Sequence, residues 1–187
     1  TRAHNTVMVD GEGQARQETP FSWSSPYTCK LVHREFKNGG AQLLARHDGY
    51  SKSCGVIHWR GVAYLPPGRL IVWDRLTGEG RHQLELNWHC GLPVSRQGDS
   101  YVLADIKPKA SLRILGAGTI TLRQGQNDPI FGWCSRQYGE KSPIDTLHAG
   151  IHVDLPHEFV TQILIGNATQ DAAEVEEVIR GFREWLA

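Results

Sequence analysis

The chain has 187 residues, and its 20 Lys and Arg residues balance 20 Asp and Glu residues, so the formal net charge is zero. This balance argues against nucleic-acid binding through a basic surface, and 40% hydrophobic against 21% charged residues excludes a disordered charged tail. The sequence lacks the ~18 consecutive apolar residues of a membrane span and a signal-peptide pattern. These features predict one globular domain over residues 1–187, with no membrane or nucleic-acid partner. An opening at Thr1 rather than Met favours a processed chain or a fragment.

Short β-type runs separated by turn signals fill residues 1–166. Gly accounts for 20 residues and Pro for 9, and both supply the backbone that tight turns need. Because no helices alternate with these runs, we expect an all-β fold, an antiparallel β-sandwich rather than a βαβ fold. About twelve strands are predicted, at His4–Asp10, Tyr27–Phe36, Gln42–His47, Val56–Leu65, Leu70–Leu76, His82–His89, Tyr101–Ile106, Ser111–Leu115, Thr119–Arg123, Gly132–Arg136, Thr146–Asp154 and Phe159–Gly166.

Two details of this pattern predict local structure. Pro66-Pro67-Gly68 lies between two long strands and indicates a hairpin connection. The run Leu70-Ile71-Val72-Trp73 has four consecutive apolar residues, which is typical of a strand covered on both faces.

One α-helix is predicted at the C-terminus, over residues 171–186. Asp171 and Glu174 form a D-x-x-E capping-box pattern at its start, where negative charge also suits the positive end of the helix dipole. We expect the apolar stripe that follows to pack on the domain and tie down the chain terminus; the alternative is a docking face for a partner. The stripe consists of Val175, Val178, Ile179, Phe182, Trp185 and Leu186.

The four cysteines, Cys29, Cys54, Cys90 and Cys134, are widely spaced and form no CxxC pair. This spacing excludes zinc-ribbon and thioredoxin-like sites. Two disulfides and four separate buried thiols both stay open as interpretations.

The chain has nine histidines, which makes metal binding and catalysis worth testing. His148 and His152 share one strand face but lie about 13 Å apart at ~3.3 Å per residue, too far to bind one ion without a bend. His82 and His89 are an odd number of residues apart and point to opposite faces. Hydrogen-bonded structural roles are therefore favoured over metal binding for six histidines: His47, His58, His82, His89, His148 and His152.

His4 differs because alternation places it on one strand face with Thr6 and Asp10. Neutral imidazole is the commonest side-chain metal ligand. A metal site needs further ligands, and for His4 these must come through the fold or from upstream of Thr1. The sequence has no nucleophile elbow, P-loop, dinucleotide fingerprint or H-E-x-x-H motif.

The segment from His4 to Gln14 resembles the HNTV-x-VDG-x-x-Q motif of the heparinase II/III-like polysaccharide lyases. Matches to further motifs of that family follow in order over residues 1–166. Phe21-Ser22-Trp23 matches the family motif F-x-W, and His47-Asp48-Gly49-Tyr50 matches H-D-G-Y. The stretch from His58-Trp59-Arg60 to Trp73-Asp74-Arg75-Leu76 matches H-R-R … V-V-D-R-L, and His82 with Trp88-His89 matches H … W-H. Trp133-Cys134-Ser135-Arg136-Gln137-Tyr138-Gly139 matches W-x-S-x-x-Y-G.

This resemblance implies the C-terminal β-sandwich of such a lyase, without the N-terminal (α/α) toroid that carries the family's catalytic Asn and Tyr. The implied reaction is β-elimination in an acidic polysaccharide, in which a base removes the C5 proton of a uronic acid and an acid protonates the departing oxygen. No catalytic residue is then expected in this chain. Its expected partners are the toroid of the same protein and the polysaccharide, and the implied location is periplasmic or secreted.

The resemblance also implies a structural metal, zinc or calcium, in the intact enzyme. Its ligands are a His and an Asp upstream of this chain, with His4 as the third. An aromatic and arginine face with Trp59, Arg60 and Trp88 is a candidate for sugar contact through stacking and anion pairing; packing inside the sandwich is the alternative. For the whole chain, the alternatives are a carbohydrate-binding sandwich without catalysis and a structural module whose exposed apolar face docks a partner.

Overall fold

The computed structural model describes residues 1–19, 21–169 and 171–186. Strands dominate this part of the chain, and the longer of its two helices lies at the C-terminus. The elements are β1 (Val7–Val9), β2 (Arg16–Thr19), β3 (Ser22–Ser24), β4 (Cys29–Lys37), β5 (Gly40–Tyr50), α1 (Ser51–Cys54), β6 (Val56–Leu65), β7 (Arg69–Thr77), β8 (Arg81–His89), β9 (Val94–Gln97), β10 (Ser100–Leu103), β11 (Ala110–Leu115), β12 (Thr119–Arg123), β13 (Gln126–Asn127), β14 (Ile130–Phe131), β15 (Trp133–Cys134), β16 (Ser142–Pro143), β17 (Thr146–Asp154), β18 (His157–Ile165) and α2 (Ala172–Glu184).

Two antiparallel sheets share one apolar core and confirm the all-β sandwich. The large sheet has eight strands in the order β4-β5-β6-β7-β18-β11-β10-β9, and the small sheet has four in the order β1-β8-β17-β12. The pairs β2–β3, β13–β14 and β15–β16 form separate two-stranded ribbons. The predicted hairpin between β6 and β7 is present, because Leu65 pairs with Arg69 across Pro66-Pro67-Gly68.

The strand predictions differ from the structure at several places. The strand predicted at His4–Asp10 shortens to β1, so His4 and Asp10 lie outside it, and the short strands β2, β3, β13, β14 and β16 are not predicted. The strand predicted at Gly132–Arg136 shrinks to β15, which pairs with β16 outside the two main sheets. The sequence pattern misses β9, which pairs with β10 at the edge of the large sheet. Its sequence V-S-R-Q is short and mostly exposed, so it carries no apolar alternation. The other predicted strands correspond to strands of the main sheets.

Side chains that alternate along the strands fill the space between the two sheets. In β8, Leu84 and Leu86 point into this core, whereas Gln83 and Glu85 point to the outer face of the small sheet. The largest fully buried members of the core are Tyr50, Phe159, Leu76, Leu84, Leu86 and Leu147.

Helix α2 covers the opposite face of the large sheet, as its apolar stripe predicts. The Asp171 side chain caps the helix by accepting hydrogen bonds from the amides of Ala173 and Glu174. Glu174 does not complete a reciprocal capping box, because its carboxylate pairs with Arg69 at 2.5 Å. The stripe residues buried against the sheet are Val175, Val178, Ile179 and Phe182.

Gly61 of β6 lets α2 approach the sheet closely. A Cβ at this position would lie 2.6 Å from the ring of Phe182. That ring stacks on Trp73, with the centroids 5.7 Å apart. Ile71 and Trp73 of β7 pack under the helix and Val72 is also buried, so the run that ends at Trp73 is covered on both faces as predicted.

All four cysteines are free thiols, so the interpretation as two disulfides is wrong. Only Cys90 is buried, while Cys29 is exposed, so the interpretation as four buried thiols holds only in part. Burial raises the pKa of the Cys90 thiol to about 11. Neither of the two described helices is long and apolar enough to cross a bilayer.

Candidate functional site

The segment His4–Thr6, which leads into β1, is anchored to β8 of the small sheet. The side-chain oxygen of Asn5 accepts a hydrogen bond from the His89 amide at 2.7 Å. The Thr6 carbonyl accepts one from the Asn87 amide at 3.1 Å. These bonds hold Asn5 and Thr6 against β8, while the His4 side chain stays exposed.

A chain of polar side chains connects this segment to the interior of the large sheet. Arg60 donates to the Asn5 carbonyl at 2.6 Å and to both carboxylate oxygens of Asp74, at 2.7 and 3.0 Å. Asp74 is fully buried and also contacts Nε2 of His58 at 2.6 Å. Nδ1 of His58 lies 2.9 Å from Nε2 of His47. We name these four side chains, Arg60, Asp74, His58 and His47, the buried polar chain.

The two ends of the buried polar chain fix the direction of its hydrogen bonds. The Gly49 amide donates to Nδ1 of His47 at 3.2 Å, so the proton of this neutral ring is on Nε2. His47 therefore donates to His58, and His58 donates to Asp74, because a carboxylate only accepts. Burial is the main cause that lowers the pKa of His47 to about 4, and the electrostatic interactions with His58 and Arg60 act in the same direction. His47 is thus neutral near pH 7.

Asp74 stays ionised although it is buried. Burial alone raises its pKa, but the charge of Arg60 and the hydrogen bond from His58 outweigh burial and lower the pKa to about 2. A polar network whose members all have partners is rigid. Because neither His58 nor Asp74 is exposed, the buried polar chain is suited to hold the segment His4–Thr6 in place rather than to react.

Three further contacts hold β1 itself. The Tyr50 hydroxyl donates to the Val7 carbonyl at 2.6 Å. Asp10, just after β1, lies 2.7 Å from Nδ1 of His82 and accepts a bond from the Gln83 amide at 2.9 Å. Residues of the HNTV-x-VDG, H-D-G-Y, H-R-R and H … W-H motifs thus contact one another. The motifs that carry the family resemblance describe one structural frame around β1.

Polar side chains also cluster on the outer face of the small sheet. Nδ1 of His148 lies 3.0 Å from the side-chain oxygen of Asn87. His89 contacts the Thr146 hydroxyl through Nδ1 at 3.0 Å and the Arg2 carbonyl through Nε2 at 2.9 Å. Burial is the main cause that lowers the pKa of His89 and of His148, so both rings are neutral near pH 7.

The structure does not bring Trp59, Arg60 and Trp88 onto one face. Trp59 lies on the α2 side of the large sheet, where the guanidinium of Arg46 is 5.3 Å from its ring centroid. Arg60 follows it in the strand and points to the other side, into the buried polar chain. Trp88 faces the core and its indole nitrogen donates to the Thr161 hydroxyl at 3.0 Å. These contacts match packing inside the sandwich, and sugar contact by the three residues stays a prediction.

The described residues do not form a complete metal site around His4. Within residues 1–19, 21–169 and 171–186, no group of three His, Cys, Asp or Glu side chains is arranged to hold an ion. A single exposed imidazole binds zinc or calcium poorly. The residues of this chain therefore do not fit such a metal by themselves, and a site that includes His4 needs ligands from elsewhere.

The sequence reasoning missed the pair of Arg60 with Asp74, although a signal for it was present. Strand register counted outward from the predicted turn at Pro66-Pro67-Gly68 sets residue 60 opposite residue 74, as observed. The contact of His47 with His58 gives no such signal, because the register between β5 and β6 is irregular beyond His47 and α1 interrupts the connection.

Comparisons with known proteins bear on the family and the fold of this chain. The family described as Heparinase II/III-like, C-terminal matches residues 1–175. A heparinase III structure superposes with a TM-score of 0.67 at 16% identity, over 90% of this chain and 24% of that chain. The heparan sulfate lyase HepC from Pedobacter heparinus superposes with a TM-score of 0.63 at 15% identity, over 91% and 25%.

At these identities the structural likeness shows the fold alone. The chain spans about a quarter of the length of both proteins. None of the curated proteins compared matches the sequence. The match to the family covers nearly the whole chain, and its motif residues form the frame around β1. The chain belongs to the heparinase II/III-like C-terminal domain family.

Proposed function

We propose that this chain is the C-terminal domain of a lyase that cleaves a uronic-acid-containing polysaccharide by β-elimination. In this proposal it supports the catalytic toroid and supplies one metal ligand. The observation that carries the proposal is the segment His4–Thr6, which is bonded to both sheets through Asn5 and leaves His4 exposed. Family membership over residues 1–175 supports the lyase class.

The chain's own part in this function is positioning. Arg60 holds the Asn5 carbonyl and is itself held by Asp74, so the buried polar chain sets the backbone next to His4. The base and acid of the elimination are assigned to the toroid. The metal, zinc or calcium, has a structural role, with His4 as one ligand and the others upstream of this chain. We place the whole lyase in the periplasm or outside the cell, where acidic polysaccharides are degraded.

The test replaces His4 by Ala in the lyase that contains both domains, and measures bound metal by mass spectrometry after titration. We expect at least about tenfold weaker metal binding. Loss of a metal ligand should weaken binding at least as much as loss of a residue that hydrogen-bonds to a ligand. The matched control is His157→Gln, since the partly exposed ring of His157 contacts the Gly116 carbonyl at 2.8 Å and the ring of Phe159, with centroids 4.9 Å apart. Unchanged metal binding in His4→Ala would contradict the proposal.

A second candidate is a non-catalytic interaction module. It is favoured by apolar side chains on β4, where Leu31 is 57% and Phe36 is 70% exposed. Exposed apolar patches mark binding surfaces for other proteins. A lyase with both domains that shows no elimination on any acidic polysaccharide would favour this candidate. Saturable polysaccharide binding by the chain alone, again without elimination, would favour a carbohydrate-binding sandwich.

A further inference from the structure

A groove of about 400 Å³ lies on the outer face of the small sheet, across β8, β17 and β12. Gly150 leaves a notch in this groove, since a Cβ there would have only Nε2 of His148 within 4 Å, at 3.8 Å. Volumes of this size are typical of small-ligand sites. The polar side chains that line the groove include Gln83, Glu85, Thr119, Thr121, Arg123 and His148.

The imidazole of His148 is oriented by a fully buried neighbour. Its Nδ1 lies 3.0 Å from the side-chain oxygen of Asn87, which is 0% exposed. The Asn87 amide turns its oxygen toward the ring and leaves its Nδ2 buried without a partner among the described residues. An amide oxygen only accepts, so in this orientation the ring proton is on Nδ1 and Nε2 carries a lone pair. The ring of Phe131 packs edge-on against the imidazole, with centroids 5.7 Å apart. His148 therefore presents a fixed acceptor to the notch above Gly150.

Glu85 presents a second acceptor to the same notch. One carboxylate oxygen accepts a hydrogen bond from the Gln83 side chain at 3.2 Å. The other oxygen lies 3.8 Å from Nε2 of His148, and the two side chains are 14% and 12% exposed. Two largely desolvated acceptors that face each other lack a donor between them. A ligand that donates hydrogen bonds satisfies both atoms.

A positive charge lies beside this acceptor pair. The Nε of Arg123 donates to the Thr121 hydroxyl at 3.3 Å, and its guanidinium lies over the Phe131 ring, 5.6 Å from the ring centroid. Among the ion pairs of the described residues, none involves Arg123. Thr121 pairs with His148 across the strands and Arg123 pairs with Thr146, so Arg123 is a diagonal neighbour of His148, at about 7–8 Å. This charge disfavours a metal ion in the notch and favours an anionic group next to it.

We propose that this groove binds a hexuronate unit of an acidic polysaccharide. Two of its hydroxyls donate to Nε2 of His148 and to the carboxylate of Glu85, and its carboxylate group binds the guanidinium of Arg123. The choice of a sugar acid rests on the proposed function. The arrangement of acceptors and charge does not depend on it.

The test is an NMR titration of the ¹⁵N-histidine-labelled chain with sodium glucuronate, with methyl glucoside as the neutral comparison. Long-range proton–nitrogen spectra should show His148 with its proton on Nδ1. We expect saturable shifts of the His148 ring with glucuronate, and about tenfold weaker binding of methyl glucoside, because one charge-assisted contact is missing. No saturable shift with glucuronate overturns the proposal.

Two variants separate specific binding from a general effect of the anion. Glu85→Gln turns the free acceptor into a donor that satisfies Nε2 of His148 internally, so binding should be lost while the melting temperature is retained. Arg123→Gln should reduce glucuronate binding about tenfold, to the level of methyl glucoside. The matched control is Arg96→Gln, an exposed arginine that contacts the Gly98 carbonyl at 3.0 Å, and it should bind as the parent chain does.

Binding that is unchanged in both Glu85→Gln and Arg123→Gln overturns the proposal. The readout involves neither elimination nor the metal at His4. Failure of this proposal therefore differs from failure of the proposed function, which is tested on the lyase with both domains.

Discussion

Asp74 shows how single residues hold the frame around β1. Its carboxylate is fully buried and accepts three hydrogen bonds, two from Arg60 and one from His58. A buried ion pair adds little to stability compared with apolar residues of the same shape, but removal of one partner leaves a charge buried without compensation. The pair therefore ties β6 to β7, and through Arg60 to Asn5, in one arrangement.

Replacing Asp74 by Asn should be strongly destabilising. The change leaves the guanidinium of Arg60 without its counter-charge, and we expect the free energy of unfolding to fall by about 3–5 kcal/mol. Urea denaturation measures this. Asp99→Asn is the control, since Asp99 is 78% exposed and its contact with Arg113 is longer, at 3.4 Å. This control should change the free energy of unfolding by less than about 0.5 kcal/mol. Equal effects of the two variants would contradict the role given to Asp74.

Stability should also fall with acid in a way that depends on His47. The unfolded chain binds a proton at this residue near pH ~6.5, whereas the folded protein binds it only near 4. Between these values the unfolded state holds more protons, so acidification favours unfolding. Asp74 extends this loss of stability to lower pH. Its carboxylate binds a proton near pH ~3.9 in the unfolded chain, but its pKa in the folded protein is about 2.

The measurement is the free energy of urea unfolding at a series of pH values between about 7 and 4. The slope of the unfolding free energy against pH reports how many more protons the unfolded state binds. His47→Gln should lower this number by nearly one, because Gln does not titrate. The same slope in His47→Gln and the parent chain would contradict the assignment.

Among the elements, the strands predicted most closely from sequence are those with long apolar alternation or a clear turn. Val56–Leu65, Thr119–Arg123 and Thr146–Asp154 have the same bounds in the prediction and in the structure. The sequence does not predict β9, because an edge strand of mostly polar residues has no buried face and therefore no apolar alternation. Helix α2 is predictable because its apolar stripe and the cap at Asp171 agree.

The contact of α2 with the large sheet depends on the missing side chain at Gly61. Gly61→Ala places a methyl group 2.6 Å from the Phe182 ring, and such overpacking should cost about 1–3 kcal/mol in urea denaturation. Gly181→Ala is the matched control in the helix itself, where a Cβ meets nothing within 4 Å. This control should stabilise the protein by up to about 1 kcal/mol through helix propensity. Destabilisation by both changes would contradict this account of the packing.

At the scale of the whole molecule, the sites are formed by residues from several strands. His4 is proposed as a ligand from the family resemblance, because its motif is continuous in sequence. The pair of His58 with Asp74 requires the register of β6 on β7. The groove beside His148 requires three strands, since β17 lies between β8 and β12. Sequence patterns predict which face a residue takes, and a predicted hairpin makes two consecutive strands neighbours, but the patterns do not predict which strands distant in sequence pair.

The central proposal is that this chain supports β-elimination by another domain and has no catalytic residue of its own. The most direct measurement follows the ultraviolet absorbance of the unsaturated uronate product on heparan sulfate, alginate and other acidic polysaccharides. It compares residues 1–187 with a lyase extended upstream through the toroid. We predict that product forms only with the extended protein. Product formed by residues 1–187 alone would contradict the claim.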